Sequence, residues 1–479
     1  MEDSLIGPIL LFPVALAVLC LLLGRASRAG LAVAAGGWLY VALLAVQLIP
    51  FVLGVGGRLP LLPGLALEKL GACFLLLTAV VVACALSHAH AFFSSERQSA
   101  SSPSDRQVLL FYVFALVFLL SMSAVYICDN LGLLWVSIEA TTLTSAGLVY
   151  FRRDKHAIEA TWKYLIICSV GLAFALLGTI FLFSASQHGL ADGGSLNISD
   201  LIQQAPGLEP TLMKLGFIFC LAGYGTKAGV FPLHSWLPDA HSEAPAPASA
   251  MLSGSLLNCA LFALWRLLQI ASGVPGSHFC QEMTLWAGIV TVVAASLFLV
   301  RQHGLKRLWA YSSIENVGLM LVALGLGSAP LFLLQAVNHS VAKVSLFLLS
   351  GNIIQLAGTK QLSELRGLWS AAPGWAALFA LSALAVTGVP PFGSFISEWL
   401  ILVSSFESRH WLAAVLLLLG LSLAFIAVCL HAGKVLTGSP RSEIEPARTC
   451  SRSVVPAALV LVSVVLGLVI GPDFLRAAL

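Results

Sequence analysis

The chain has 479 residues, is 59% hydrophobic and 10% charged, and carries a formal net charge of +3. A mean hydropathy of +0.95 excludes an ordinary soluble domain, and so small a charge, spread over many loops, excludes a nucleic-acid-binding surface. Ten cysteines without a Cys-x-x-Cys pair, and no Gly-rich phosphate loop, argue against iron–sulfur or zinc ligation and nucleotide-driven pumping, so no metal, cofactor or electron carriage is expected of this chain alone.

Apolar stretches of about 20 residues, enough to cross about 30 Å of hydrocarbon as helix, recur fourteen times. In order they are Leu5–Gly24, Gly30–Leu53, Leu70–His90, Val108–Ile127, Leu131–Phe151, Ala160–Ser184, Thr211–Pro232, Pro245–Gln269, Met283–Val300, Leu308–Leu326, Ala329–Leu356, Pro373–Leu402, Trp411–Ala432 and Val454–Gly471. Spanning strands would instead show about ten residues of alternating polarity, so a barrel is excluded. The expected fold is an all-α polytopic membrane protein of about fourteen transmembrane helices.

Loops after odd-numbered segments hold sixteen Lys and Arg residues, among them Arg97, Arg152, Arg153, Lys155, Arg301, Lys306, Arg307, Lys360, Arg441 and Arg448. Loops after even-numbered segments hold five, namely Arg58, Lys69, Lys214, Arg266 and Arg409, while Arg476 stands in the tail. Short cytoplasmic loops carry the positive excess. Both termini are therefore expected outside the inner (cytoplasmic) membrane. Met1-Glu2-Asp3 has no basic region and no small-residue cleavage site, so the first segment is expected to be retained.

The seventh and twelfth segments are interrupted alike, by Gly229-Val230-Phe231-Pro232 and by Gly388-Val389-Pro390-Pro391. Proline removes a backbone donor and pushes away the carbonyl four residues earlier. Freed backbone groups at membrane depth survive only against protein or a water-filled cavity, so water is expected at both breaks. Each broken segment follows a segment bearing a carboxylate, Glu139 in the fifth and Glu315 in the tenth. Five segments separate corresponding elements, an odd number, so the two halves would be inserted with opposite orientation. The organisation expected is residues 1–107 as three N-terminal helices, 108–269 and 283–435 as inverted five-helix repeats, and 453–479 as a last helix. Discontinuous helices at matching places in inverted halves point to an ion or substrate path.

Lys163, Lys227, Lys343, Glu139, Glu315 and Glu398 lie within or at the lip of apolar stretches. A charge at the bilayer centre costs at least about 2.5 kcal/mol on insertion scales, so such residues persist where they pair, line water or move ions. Helical spacing places Trp135, Glu139, Thr142 and Ala146 on one face of the fifth segment. Glu139 and Lys227 would each govern whether the other stays charged; the alternative is a permanent buried pair that fixes packing. His339 and Lys343, at i and i+4, would repel when both are charged, as a relay requires, unless His339 is neutral and merely hydrogen-bonded. Glu398, just past the second break, is either the terminal carboxylate of the path or an acid facing the outer headgroups.

Arg307 is expected as an inside-positive anchor, and Lys306 either as another anchor or as part of the relay. Lys163 either snorkels to the cytoplasmic face or stands behind Lys227. His234 and His241 serve either structural hydrogen bonding or a cytoplasmic proton inlet.

The stretch from Gly225 to His241, Gly-Thr-Lys-Ala-Gly-Val-Phe-Pro-Leu-His-Ser-Trp-Leu-Pro-Asp-Ala-His, resembles the signature of the antiporter-like proton-pumping subunits of respiratory complex I and its relatives. Lys306-Arg307-Leu308-Trp309-Ala310-Tyr311 and Gly388-Val389-Pro390-Pro391-Phe392-Gly393 agree with it. Ile138-Glu139-Ala140-Thr141-Thr142-Leu143, Glu159 to Tyr164, and Ser313-Ile314-Glu315-Asn316 look most like the branch in membrane-bound nickel–iron hydrogenases of the hydrogenase-four and formate hydrogenlyase type.

The resemblance implies inverted five-helix repeats, Glu139 and Lys227 as the central pair, and a hydrophilic axis through Lys343 to Glu398. It departs at Asn258, where many relatives place a Lys or His; asparagine orients water but holds no proton at neutral pH. Glu315-Asn316 likewise stands where other branches carry a His, so the bridge from Lys227 to Lys343 would be water-filled or weaker. The chain is also expected to end after its fourteenth segment, without the long lateral helix of some relatives, and to dock beside other membrane-arm subunits and a peripheral redox arm with Fe–S and Ni–Fe centres. The function expected is a proton-translocating subunit of a hydrogenase complex. A complex I subunit, a cation/proton antiporter subunit and a non-pumping scaffold are the alternatives.

Overall fold

The computed structural model describes residues 7–54, 56–96, 103–187, 193–439 and 450–469. Met1-Glu2-Asp3, Arg97, Arg441, Arg448 and Arg476, used above for orientation and retention of the first segment, lie outside the described residues.

Helix dominates. In chain order the long elements are α1 (Phe12–Leu23), α2 (Ala26–Leu53), α3 (Lys69–Glu96), α4 (Asp105–Ile127), α5 (Leu131–Val149), α6 (Lys155–Gln187), α7 (Pro210–Ala228) and α8 (Trp236–Glu243). They continue with α9 (Ala246–Ser272), α10 (His278–Leu299), α11 (Leu305–Gly325), α12 (Ala329–Ala357), α13 (Pro373–Val386), α14 (Gly393–Glu407), α15 (Trp411–Leu436) and α16 (Cys450–Val469). A short antiparallel hairpin, β1 (Arg58–Leu62) and β2 (Leu65–Glu68), is the one sheet among the described residues.

Eleven of these helices are long and apolar enough to cross a membrane. The first, seventh and twelfth apolar segments differ: the first is short, the seventh stops at Ala228 and restarts as α8, and the twelfth is split into α13 and α14. The chain is a multi-pass membrane protein. Its helices bury their inner faces on one another and turn an apolar outer face outward, as Leu412, Leu419, Ile426 and Leu430 do on α15. α9 and α11 are buried along almost their whole length and form the centre.

Backbones approach closely where glycine removes the side chain. A Cβ on Gly223 of α7 would lie 2.6 Å from the Gly171 carbonyl of α6, and one on Gly318 of α11 would lie 2.8 Å from the Gly288 carbonyl of α10. Small residues are what membrane helices use to pack without a hydrophobic driving force.

Polar ends sort to two opposite faces. On one, Arg152 pairs with Glu96 at 3.0 Å and Lys360 with Glu243 at 2.6 Å. On the other, Arg266 pairs with Asp129 at 2.9 Å and with Glu68, while Arg58 also holds Asp129. Arg266 is therefore no loop residue: it is buried on α9, because two carboxylates from the hairpin and the α4–α5 junction neutralise it.

Candidate functional site

α5 begins where the Asn130 side chain accepts from the amides of Gly132 and Leu133, at 3.0 and 3.2 Å. That cap fixes the helix start and carries Glu139, Thr142 and Ser145 into the interior. Lys227, the penultimate residue of α7, is fully buried. Its Nζ donates to Thr142 Oγ1 at 2.9 Å and to the Tyr164 hydroxyl at 2.6 Å, and lies 4.8 Å from the Tyr164 ring centre. The Tyr164 hydroxyl meets Ser145 Oγ at 2.6 Å, and Ser145 Oγ donates to the Thr141 carbonyl. The proton order runs from Lys227 through Tyr164 to Ser145.

Glu139 stands apart. Its Oε1 accepts from Ser169 Oγ at 3.0 Å, its Oε2 has no partner, and no ion pair joins it to Lys227. The expected central pair is thus two sites on adjacent turns of α5. Tyr164, which sequence reasoning passed over beside Lys163, is the residue that reaches the ammonium; an aromatic with a polar tip between two charged positions was the available signal. Lys163 itself turns away to Asp239 Oδ2 at 2.5 Å, and Arg307 pairs with the other oxygen of Asp239.

The first break follows directly. Gly229 closes α7 at φ 83°, a left-handed conformation that favours glycine, and Phe231–Pro232 is a cis bond. Trp236 Nε1 donates to the Thr226 carbonyl at 2.9 Å, which also accepts from the Gly229 amide at 3.2 Å, and the Phe231 amide donates to Thr291 Oγ1 at 3.2 Å. Protein side chains meet these two groups. At the second break, with cis Pro390–Pro391, Asn338 Nδ2 donates to the Gly393 carbonyl at 2.9 Å and Ser394 Oγ donates to that of Ala385.

Two polar cavities, about 250 and 400 Å³, open on the face of Glu96, Arg152 and Lys360, and both are lined by Ser242, Glu243, Lys306 and Lys360. Lys306 is buried and donates to the Ala244 carbonyl at 2.6 Å, so it is no headgroup anchor. His241 stacks on Phe347 with ring centres 4.8 Å apart, and neither of its nitrogens has a partner. His234 is ringed by Phe231, Phe298 and Tyr311, with Nδ1 unpartnered.

Toward the second half, Asn258 Nδ2 donates to Ser340 Oγ at 3.1 Å, and His339 Nε2 meets the Ser253 carbonyl at 3.3 Å. Ser253 and Ser313 hydroxyls meet at 2.8 Å. Lys343 Nζ donates to the Trp309 carbonyl at 3.1 Å. Glu315 accepts from Asn316 at 2.9 Å. Glu398 is 8% exposed and lines a small cavity with Glu315, so it faces inward rather than the headgroups.

Residues 128–425 match the family described as "NADH:quinone oxidoreductase/Mrp antiporter, TM". The chain belongs to this family. The hydrogenase-4 component F homolog of Methylacidiphilum infernorum is 40% identical over 337 residues, 69% of this chain and 70% of that protein. NADH-quinone oxidoreductase subunit N of Desulforudis audaxviator is 30% identical over 347 residues, 70% of this chain and 68% of that protein. A chain of the membrane-bound sulfane sulfur reductase, an archaeal respiratory membrane complex, superposes with TM-score 0.84 at 22% identity, over 98% of this chain and 96% of that one. This member of the antiporter-like family is therefore a membrane subunit of the kind found in hydrogenase, complex I and Mrp-type assemblies.

Proposed function

We propose that the chain moves protons as a membrane-arm subunit of a membrane-bound [NiFe] hydrogenase complex whose peripheral arm carries the Fe–S and Ni–Fe centres. One observation carries this reading. Glu139 Oε2, Ser255 Oγ, Asn258 Oδ1, His339 Nδ1 and Glu398 Oε1 are buried polar atoms without protein partners, carried on α5, α9, α12 and α14. Such atoms are costly in a membrane interior unless water serves them, and ionisable groups bridged by water and by neutral polar side chains make a proton path.

In this reading the cavities beside Lys306 admit protons from the cytoplasm, and His241 passes them inward. Lys227 holds one proton against the Thr142 and Tyr164 hydroxyls, and an approach of Glu139 holds that ammonium in place. Water at Asn258 and Ser255 links Lys227 to His339 and Lys343, and Glu398 is the terminal acid. Residues 108–269 and 283–435 act as the two inverted halves, in the inner membrane, with both termini outside. The hydrogenase-4 relative supports the choice of complex, and the Mrp side of the family supports a second reading, a cation/proton antiporter subunit.

The test is reconstitution of the intact complex in vesicles. Lys227→Ala and Glu139→Gln are expected to abolish proton uptake coupled to electron transfer. Full uptake in both would leave a scaffold as the better account. A neighbouring gene for a nickel-binding large subunit separates the hydrogenase from the antiporter.

A further inference from the structure

One layer of aromatic rings lies between the buried polar groups of α9 and the charged network around Arg266. Asn258, Phe262 and Arg266 follow one another at i, i+4 and i+8 on α9, so Asn258 and Arg266 are only about 12 Å apart along the helix axis. Arg266 belongs to the watered side, since it pairs with Asp129, which also holds the half-exposed Arg58. On the other side, Asn258 Oδ1 and Ser255 Oγ are buried atoms that no protein group serves.

Phe262 closes the interval with rings from three other helices. Its centre lies 5.2 Å from that of Tyr126 on α4 and 6.0 Å from that of Phe74 on α3, and Phe74 lies 5.0 Å from Phe332 on α12. All four residues are at most 2% exposed. Backbone closes in beside them: a Cβ on Gly71 would sit 2.6 Å from the Tyr126 carbonyl and 3.5 Å from Phe262 Cζ. The one polar side-chain atom among the four is the Tyr126 hydroxyl, which accepts from Thr78 Oγ1 at 3.3 Å and from Cys259 Sγ at 3.2 Å. Thr78 follows Phe74 by one turn and Cys259 precedes Phe262 by one turn, so both lie farther from the Arg266 face than those rings. With its hydroxyl drawn that way, the rest of the layer offers a proton no side-chain acceptor.

An apolar constriction in a membrane protein blocks ions by staying dry. We propose that Phe74, Tyr126, Phe262 and Phe332 form a dry seal that keeps the polar groups of the first half from discharging protons to the Arg266 face. This rests on the proton-path reading and adds where that path is closed. A path open to both faces at once would dissipate the gradient it builds; behind the seal, a proton on Lys227 passes toward Lys343 instead of escaping along α9.

The experiment uses the intact complex reconstituted in vesicles, with an imposed pH difference, no electron donor and a pH-sensitive dye inside. Wild type is expected to hold the pH difference as protein-free vesicles do. Phe262→Ser, which brings a hydroxyl and space for water, is expected to speed its collapse at least about tenfold. Phe332→Ser, on a different helix, is expected to leak likewise and decides the matter if Phe262→Ser does not assemble. Phe262→Leu keeps the layer apolar and is expected to stay tight. Phe111→Ser, which opens a separate buried aromatic cluster with Phe93 and Phe151, is expected to stay tight as well. During turnover, the two leaking variants are expected to transfer electrons at the wild-type rate or faster while holding a smaller pH difference. Collapse at the wild-type rate in assembled Phe262→Ser and Phe332→Ser complexes overturns the seal, and so does an equal leak from Phe111→Ser. Full coupled uptake by Lys227→Ala overturns the path reading instead, while the passive leak judges the seal by itself.

Discussion

Lys227 donates to Thr142, one helical turn beyond Glu139, and not to Glu139 itself. The ammonium is held by two neutral hydroxyls and an aromatic face, so its counter-charge is nearby without being bonded to it. A permanently joined pair would lock both helices; separated groups leave room for a proton to move.

Tyr164→Phe removes the hydroxyl that links Lys227 to Ser145. A hydrogen bond to a charged group contributes about 1.5–3 kcal/mol. Proton uptake by the reconstituted complex is expected to fall roughly ten- to hundredfold. Assembly, followed by size-exclusion chromatography, should persist, because the Tyr164 ring still packs on Trp236 at 4.7 Å.

Gly388→Ala tests the seat of Glu398. Gly388 has φ +63°, and the added methyl would collide with Glu398 Oε2. A side chain there costs about 1–2 kcal/mol for backbone conformation and also drives the carboxylate from its position. Gly358→Ala is the control: φ is +69°, but nothing lies within 4 Å. Both should lower the thermal midpoint, while only Gly388→Ala, which displaces the Glu398 carboxylate, should also lower proton uptake by the reconstituted complex.

Arg266→Ala removes the buried cation that Glu68 pairs with and leaves Asp129 to Arg58 and Ser199. Breaking a buried pair by removing one member costs about 3–5 kcal/mol. Lys360→Ala breaks the pair with Glu243, but Lys360 is 47% exposed and the cost is at most about 1 kcal/mol. Thermal unfolding of the two variant complexes should rank them in that order, and equal midpoints would contradict the structural role given to Arg266.

Gly288→Ala places a methyl 2.7 Å from the Gly318 carbonyl and 2.8 Å from the Val322 amide. Backbone cannot yield as a side-chain tip does, so α10 and α11 must part, at a cost of about 1–3 kcal/mol. Gly374→Ala meets nothing within 4 Å and should be neutral. The comparison is read as the denaturant or heat needed to dissociate the complex.

Much of the architecture was legible because its causes are local. Apolar runs of membrane-spanning length, and Gly and Pro inside two of them, specify helices and their interruptions without reference to any neighbour. The family signature around Lys227 was legible for the same reason, since it lies in one continuous stretch. The site was legible only in its inventory. Helical spacing gives the face on which Glu139 or Glu398 stands, but not the rotation of the helix that meets it.

By itself, then, the sequence determined that this protein is a bundle of membrane helices, where two of them break, and which charges are carried inside. Tertiary structure alone decided the partners: Tyr164 and Thr142 for Lys227, Asp239 for Lys163, the Ala244 carbonyl for Lys306, and a cavity shared with Glu315 for Glu398. The reason is that hydropathy and turn chemistry act along the chain, whereas hydrogen bonds at these depths are set by close packing between helices far apart in sequence.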